Sequence, residues 1–232
     1  LLLDNAGYES TGKYQGTMYV SFSQLAGFND TLSASITKDI GHHGDGHGSK
    51  QYAINYAVPD GNRMYRLSTY QYSYHQLVFM PEAFRSSGNT RGIEFSVEQV
   101  LNRTSRSKTA AVAKVIHKTR HSYIDDIEIG VQEQHTTALE LGLSHRQYSG
   151  NTMSDIYLFY RQGIRGLGAT VRSWEGVADN PTTLYKMAGL EGEVQSGVRI
   201  GHKQGVYTMR FRSQFTNQRL FGTDQFSIGG RY

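Results

Sequence analysis

Apolar and polar side chains alternate residue by residue along most of this chain. Between Thr17 and Ser23, Met18, Val20 and Phe22 share one side, and Thr17, Ser21 and Ser23 share the other. The same period of two recurs in Leu32, Ala34 and Ile36, in Tyr52, Ile54, Tyr56 and Val58, and in Ile93, Phe95 and Val97. It returns in Leu139, Leu141 and Leu143, and in Tyr207, Met209, Phe211 and Phe215. Only an extended strand sends successive side chains to opposite faces, so each segment reads as a strand with one apolar and one polar face. The chain is therefore all-β.

The two faces narrow the choice of architecture. Mean hydropathy is −0.52, and no run approaches the roughly 18 apolar residues that a spanning helix needs. A membrane barrel escapes that requirement, because its strands show lipid only every second side chain. The apolar face mixes aliphatics with tyrosine, of which there are 16. The opposite face is small and polar, with Arg, Lys and Glu. A dry core could not hold such a face unpaired, at several kcal/mol per charge, whereas a water-filled lumen can. The pattern therefore favours a transmembrane antiparallel β-barrel over a soluble sandwich. Met18, Val20, Phe22, Leu32, Ala34, Ile36, Ile93, Phe95, Val97, Leu139, Leu141, Leu143, Met209 and Phe211 are then expected to face lipid. Glu94, Glu98, Arg210 and Arg212 are expected to face the lumen.

Spacing predicts eleven strands, at 2–8, 14–24, 31–40, 50–58, 63–77, 91–102, 109–121, 126–148, 152–162, 184–200 and 206–218. Short connections (25–30, 59–62, 104–108, 149–151 and 201–205) take turns with longer, polar ones (41–49, 79–90, 123–133 and 165–183). Bacterial outer-membrane barrels show this asymmetry between periplasmic turns and outside loops. They also have an even number of strands, and an open sheet leaves raw edges in lipid. Either the count misses a strand or further strands lie beyond this sequence.

Specific stretches carry a family resemblance. Asp224-Gln225-Phe226-Ser227-Ile228-Gly229-Gly230-Arg231-Tyr232, preceded by Leu220-Phe221-Gly222, resembles the approach to the sixth extracellular loop of two-partner secretion transporters. These are the TpsB proteins of the haemolysin-activator and contact-dependent-inhibition type. Leu3–Gly16 is similar to the family's first strand and loop, and His121–Gln132 and Leu143–Gly150 to its middle strands. The resemblance implies a sixteen-stranded barrel of which residues 1–232 form the amino-terminal part. The plug helix, the two POTRA domains and the last strands would lie outside this chain. It implies that 224–232 begin a loop folded back into the barrel, and that the loop's arginine and its aspartate partner lie beyond Tyr232. It implies a bacterial outer-membrane pore, expected to be monomeric, that exports a large secreted β-helical TpsA-type exoprotein, a toxin or adhesin, unfolded through the lumen. An outer-membrane insertase of the same superfamily and a passive diffusion porin are the alternatives.

Other motifs read as ordinary surface. Net charge is +4, with the 24 Lys and Arg scattered, so nucleic acid is not an expected partner. Cysteine is absent, which excludes a disulfide scaffold and a cysteine nucleophile. His42, His43, Asp45 and His47 use metal-ligand vocabulary, but their glycine-rich setting is poorly preorganised. Asp125, Asp126 and Glu128 read as an exposed acidic turn rather than a calcium site. His117, His121, Ser122 and Asp125 lack the Gly-x-Ser-x-Gly elbow of a hydrolase. No metal, cofactor or catalytic residue is expected.

Overall fold

The computed structural model describes residues 1–5, 7, 10–41, 46–80, 82–170, 182–201, 203–221, 224 and 225. Twelve strands follow one another: β1 (Leu2–Asp4), β2 (Gln15–Ser23), β3 (Thr31–Asp39), β4 (His47–Asp60), β5 (Arg63–Met80), β6 (Glu82–Arg103), β7 (Ser107–Ile124), β8 (Ile127–Glu128), β9 (Gln134–Ser149), β10 (Thr152–Gly163), β11 (Lys186–Ile200) and β12 (Lys203–Phe215). They form one antiparallel sheet in chain order from β1 to β12, with β8 attached to β7 alone. With β8 set aside, every neighbour in the sheet is a neighbour in sequence, which keeps loop closure short.

Two expectations change. The segment expected as one strand at 126–148 divides into β8 and β9, separated by a 3-10 turn at Gly130–Gln132. Residues 79–80 and 82–90 are ladder rather than loop. β5 and β6 run on as an extended hairpin through Leu77↔Arg85, Gln76↔Ser86, His75↔Ser87 and Tyr74↔Gly88, with one residue between them. Backbone hydrogen bonds hold that ladder whatever the side chains are. Alternation signals only a strand buried on one face, so a strand polar on both faces reads as loop. β1 is also shorter than expected. At the other end of the sheet the short connections are tight, with β7 starting at Ser107 and β12 at Lys203, inside the stretches expected at 104–108 and 201–205. Gly61 and Gly150 open two-residue turns at φ +56° and +55°, a left-handed backbone that glycine adopts without strain.

Register lines the faces up across the sheet. Leu32, Tyr56, Leu67, Phe95, Val115 and Leu139 form one row through six strands. One residue along, Ser33, Asn55, Ser68, Glu94, Ile116 and Ala138 form a row on the opposite face. Burial runs opposite to that of a soluble protein. Leu141 is 66% exposed on the apolar face, while its neighbour Glu140 is 1% exposed on the polar one. The buried apolar cluster of Ala138, Phe159, Tyr185, Met187 and Leu220 includes Ala138, Phe159 and Met187 on that same polar side, in register with Glu94, Glu98 and Glu140 respectively.

Glycines give the aromatic rings of the polar face somewhere to lie. Tyr70 covers Gly92 and Phe159 covers Gly189 across neighbouring strands, and Tyr157 covers Gly142. A β-carbon at Gly142 would lie 2.6 Å from the Tyr157 ring. Gly142→Val should therefore lift Tyr157 off the sheet and cost about 1–3 kcal/mol through overpacking. Urea unfolding of the reconstituted protein measures it. Adding Tyr157→Ala should recover part of the loss, and an unchanged midpoint in the single variant would place the ring elsewhere.

Candidate functional site

The polar face is built around one carboxylate. Lys114 on β7, Glu140 on β9 and Arg161 on β10 are direct cross-strand neighbours, so the ladder alone brings them together. Lys114 Nζ lies 2.8 Å from Glu140 Oε1, and Arg161 donates through Nε to Oε2 at 2.7 Å. The Tyr157 hydroxyl donates to Oε1 at 2.7 Å. Lys114 also sits over the Tyr157 ring, 4.8 Å from its centre, and Arg161 over Phe159 at 5.2 Å. Both carboxylate oxygens are thus satisfied by charge-assisted donors. Two cations surround one anion, and the surplus positive charge stays on this face.

A second carboxylate ties the chain after β12 to the same face. Gln214 on β12 donates to the Asp224 carbonyl at 2.7 Å, while Lys118 on β7 reaches Asp224 Oδ1 at 3.1 Å. The Tyr185 hydroxyl donates to the same oxygen at 3.2 Å. Asp224 is 6% exposed, and its Oδ2 is buried with no hydrogen-bond partner among the described residues. Leu220 fills the space beside Ala138, Phe159, Tyr185 and Met187. β7 and β12 are four strand spacings apart, about 19 Å along the sheet at ~4.8 Å each. Asp224 touches both, so the segment lies across the polar face rather than leaving it.

All four expected lumen charges lie on this face. Glu98 pairs with Lys108 at 2.5 Å, Arg210 with Glu193 at 2.6 Å and Arg212 with Glu191 at 2.9 Å. Glu94 stands between Ser68 and Ile116. Arg146 and Asp155 make a further cross-strand pair. Sequence reasoning missed Lys108, Lys114, Lys118, Arg161, Glu191 and Glu193 as members of this face, and read Glu140 as polar-facing without naming it among the lumen charges. Its signal was present, since Glu140 is the polar step between Leu139 and Leu141.

The fourteen apolar residues expected on the other face share it. Met18, Val20, Phe22, Ile93, Phe95, Leu139, Leu141, Leu143 and Met209 are exposed there. Leu32, Ala34, Ile36, Val97 and Phe211 are half-buried, with Phe211 lying over Gly192. Of the expected loop motif, Asp224 and Gln225 are described; Phe226, Ser227, Ile228, Gly229, Gly230, Arg231 and Tyr232 lie outside the described residues. So do His42, His43 and Asp45. His47 opens β4 opposite Gln76. Asp125 caps a turn by accepting from the Arg85 N–H at 2.8 Å. His117 bonds Thr137 and His121 bonds Glu128, so no Ser-His-Asp relay forms among them.

Comparison with known proteins agrees on one family. Residues 1–232 match the family described as haemolysin secretion/activation protein ShlB/FhaC/HecB. The outer membrane transporter CdiB-2 of Burkholderia pseudomallei (strain 1026b) is 30% identical over 231 residues, covering 99% of this chain and 39% of that protein. The hemolysin transporter protein HpmB of Proteus mirabilis is 20% identical, covering 97% of this chain and 40% of that protein. Among solved structures, CdiB from Escherichia coli superposes with a TM-score of 0.89 at 22% identity, over 99% of this chain and 42% of that one. CdiB from Acinetobacter baumannii gives 0.79 at 27% identity, over 99% and 40%. The chain thus spans about two fifths of the length of the relatives it matches.

Removing the anion at the centre of the site should be costly, because two half-buried cations lose their buried partner. Glu140→Gln is expected to lower stability by on the order of 3 kcal/mol in urea titration. The triple variant Lys114→Met, Glu140→Leu, Arg161→Met should recover most of it. A triple variant as unstable as the single one would mean that packing, not charge, sets the loss.

Proposed function

Because the chain belongs to the haemolysin secretion/activation protein family ShlB/FhaC/HecB, we propose that it forms the export channel wall of a two-partner secretion transporter. The chain is part of a transmembrane β-barrel of the bacterial outer membrane, as its transporter relatives are. On this reading the exposed apolar face contacts lipid, and the face around Glu140 lines a water-filled lumen. A large secreted exoprotein with a β-helical fold crosses that lumen unfolded and folds outside. Transport, not catalysis, is the activity, and one barrel suffices for it. Two POTRA domains and a plug helix of the same protein belong to this proposal as the parts that capture the client and close the pore.

The observation that carries the reading is the reversal of burial, with Glu140 enclosed by cations and Leu141 beside it in the open. No soluble sheet gains from that arrangement, whereas a lipid-embedded wall around water requires it. The paired charges on the inner face suit a moving chain. Lys108, Arg146, Arg210 and Arg212 each already have a carboxylate partner. A passing polypeptide therefore meets weak, repeated contacts rather than a deep binding site. Residues 216–221, 224 and 225 are proposed as the root of a loop folded into the lumen, with Asp224 as its fastening to Lys118.

Three outcomes test this in cells that express the transporter with its secreted client. Leu141→Arg should block barrel assembly, at about 2–4 kcal/mol near the membrane midplane, while Arg212→Glu should leave assembly intact and change channel conductance. Equal behaviour of the two variants would reverse the assigned faces. Lys118→Asp should raise conductance and reduce secretion of the client. Combining it with Asp224→Lys should restore part of both, which a purely steric role for these residues would not predict.

A further inference from the structure

On the side of the sheet away from Glu140, at the far end of β7 and β9, the structure gathers imidazoles and carboxylates that transport does not use. His135 lies opposite Thr119, and His121 is two residues further along β7. Both side chains therefore point to the same face. Their rings meet edge to face, 5.7 Å apart at 87°. Glu133, just before β9, bonds His135 Nε2 at 2.9 Å. Glu128, on β8, bonds His121 Nδ1 at 2.6 Å. One ligand atom from each of His121, Glu133 and His135 lies within 4.8 Å of the other two. His135 is four residues past Leu139, about 13 Å along the strand. The cluster therefore sits beyond the apolar belt, where ions in water reach it.

We propose that His121, Glu133 and His135 bind one divalent transition-metal ion of the zinc class. Two imidazoles and a carboxylate form a mixed nitrogen and oxygen donor set. That set selects zinc and its neighbours over calcium or magnesium, which take oxygen ligands. Three protein ligands leave a fourth tetrahedral position for water. With metal–ligand bonds of about 2.0–2.1 Å, tetrahedral ligand atoms are about 3.4 Å apart. Closing the present cluster around an ion therefore takes side-chain rotations of roughly an ångström. Glu128 completes the design. By accepting from His121 Nδ1 it leaves Nε2 as the metal-facing nitrogen and fixes the ring, the arrangement that outer carboxylates give metal-bound histidines.

The backbone makes this a built site. Arg120↔Gln134 and Thr119↔His135 set β7 against β9, and Tyr123↔Glu128 and Ile124↔Ile127 fold β8 back on β7. The ligand positions are thus held by two ladders and the 3-10 turn between them. A metal bridging His121 and Glu133 would brace that turn against β7 on the outer end of the barrel.

The test is zinc titration by calorimetry of the whole transporter purified in detergent, repeated with cobalt(II) to read the ligand field by absorption. We expect one equivalent bound at sub-micromolar affinity and a tetrahedral cobalt spectrum. His121→Ala and His135→Ala should each abolish binding, and Glu128→Gln should weaken it about 10–100-fold. The His42→Ala, His43→Ala, His47→Ala variant should bind as the parent does. Absence of zinc uptake by the parent protein overturns the site. So does uptake that survives His121→Ala, or that disappears with the 42/43/47 variant. Far-UV circular dichroism and gel mobility of unheated samples establish that each variant is folded, so a loss is read as loss of ligands.

Discussion

A peptide group in hydrocarbon has no water to bond, and each unsatisfied one costs several kcal/mol. That constraint explains the architecture of this chain better than any packing of side chains. Apart from the short β8, every strand from β2 to β11 is bonded on both sides, in chain order, without a crossover. Once the ladders satisfy the backbone, the side chains are left to deal with two solvents. Alternation does this directly, since one step along the strand moves a residue from the apolar face to the polar one.

The inner face then solves a different problem. Around Glu140 it is buried without being apolar, so the charges there need partners placed by the backbone rather than by chance. The Lys114–Glu140–Arg161 rung does so with three residues that are forced into contact by the register. An ion pair is a weak source of stability by itself. Its use here is register, because a one-residue slip of β9 would put Glu140 on the apolar face and Leu139 or Leu141 among cations. The rung and the apolar rows therefore specify the same alignment from opposite faces.

Much of this was legible in the residues. β2, β3 and β10 fall within one residue of the stretches expected at 14–24, 31–40 and 152–162, because each is apolar on one face only. Residues 79–90 were not legible as strand, since Ser86, Ser87, Asn89 and Thr90 give no alternation to read. The charges were readable one strand at a time. Arg210 and Arg212 could be assigned a face, but their partners Glu193 and Glu191 are set by the β11–β12 register, which no single strand encodes. Glu140 could likewise be placed on the polar face by alternation with Leu139 and Leu141, but its partners Lys114 and Arg161 are set by the β7–β9 and β9–β10 registers. The His121, Glu133 and His135 cluster needs both a register and a 3-10 turn, and the expected continuous strand at 126–148 hid it.

β7 joins these elements. Lys114 and Lys118 lie four residues apart on the same face, about 13 Å along the strand. The first holds Glu140 and the second holds Asp224. Any shift of β7 along its axis therefore acts on the wall rung and on the inward segment together. The converse also holds. Asp224 has one oxygen occupied by Lys118 and Tyr185, and a second buried oxygen without a partner among the described residues. At the Glu140 rung, donors on β7 and β10 hold both carboxylate oxygens, whereas both described side-chain donors to Asp224 reach the same oxygen. Strain along β7 would thus fall first on the Asp224 contact and leave the Glu140 rung, and the register it guards, in place.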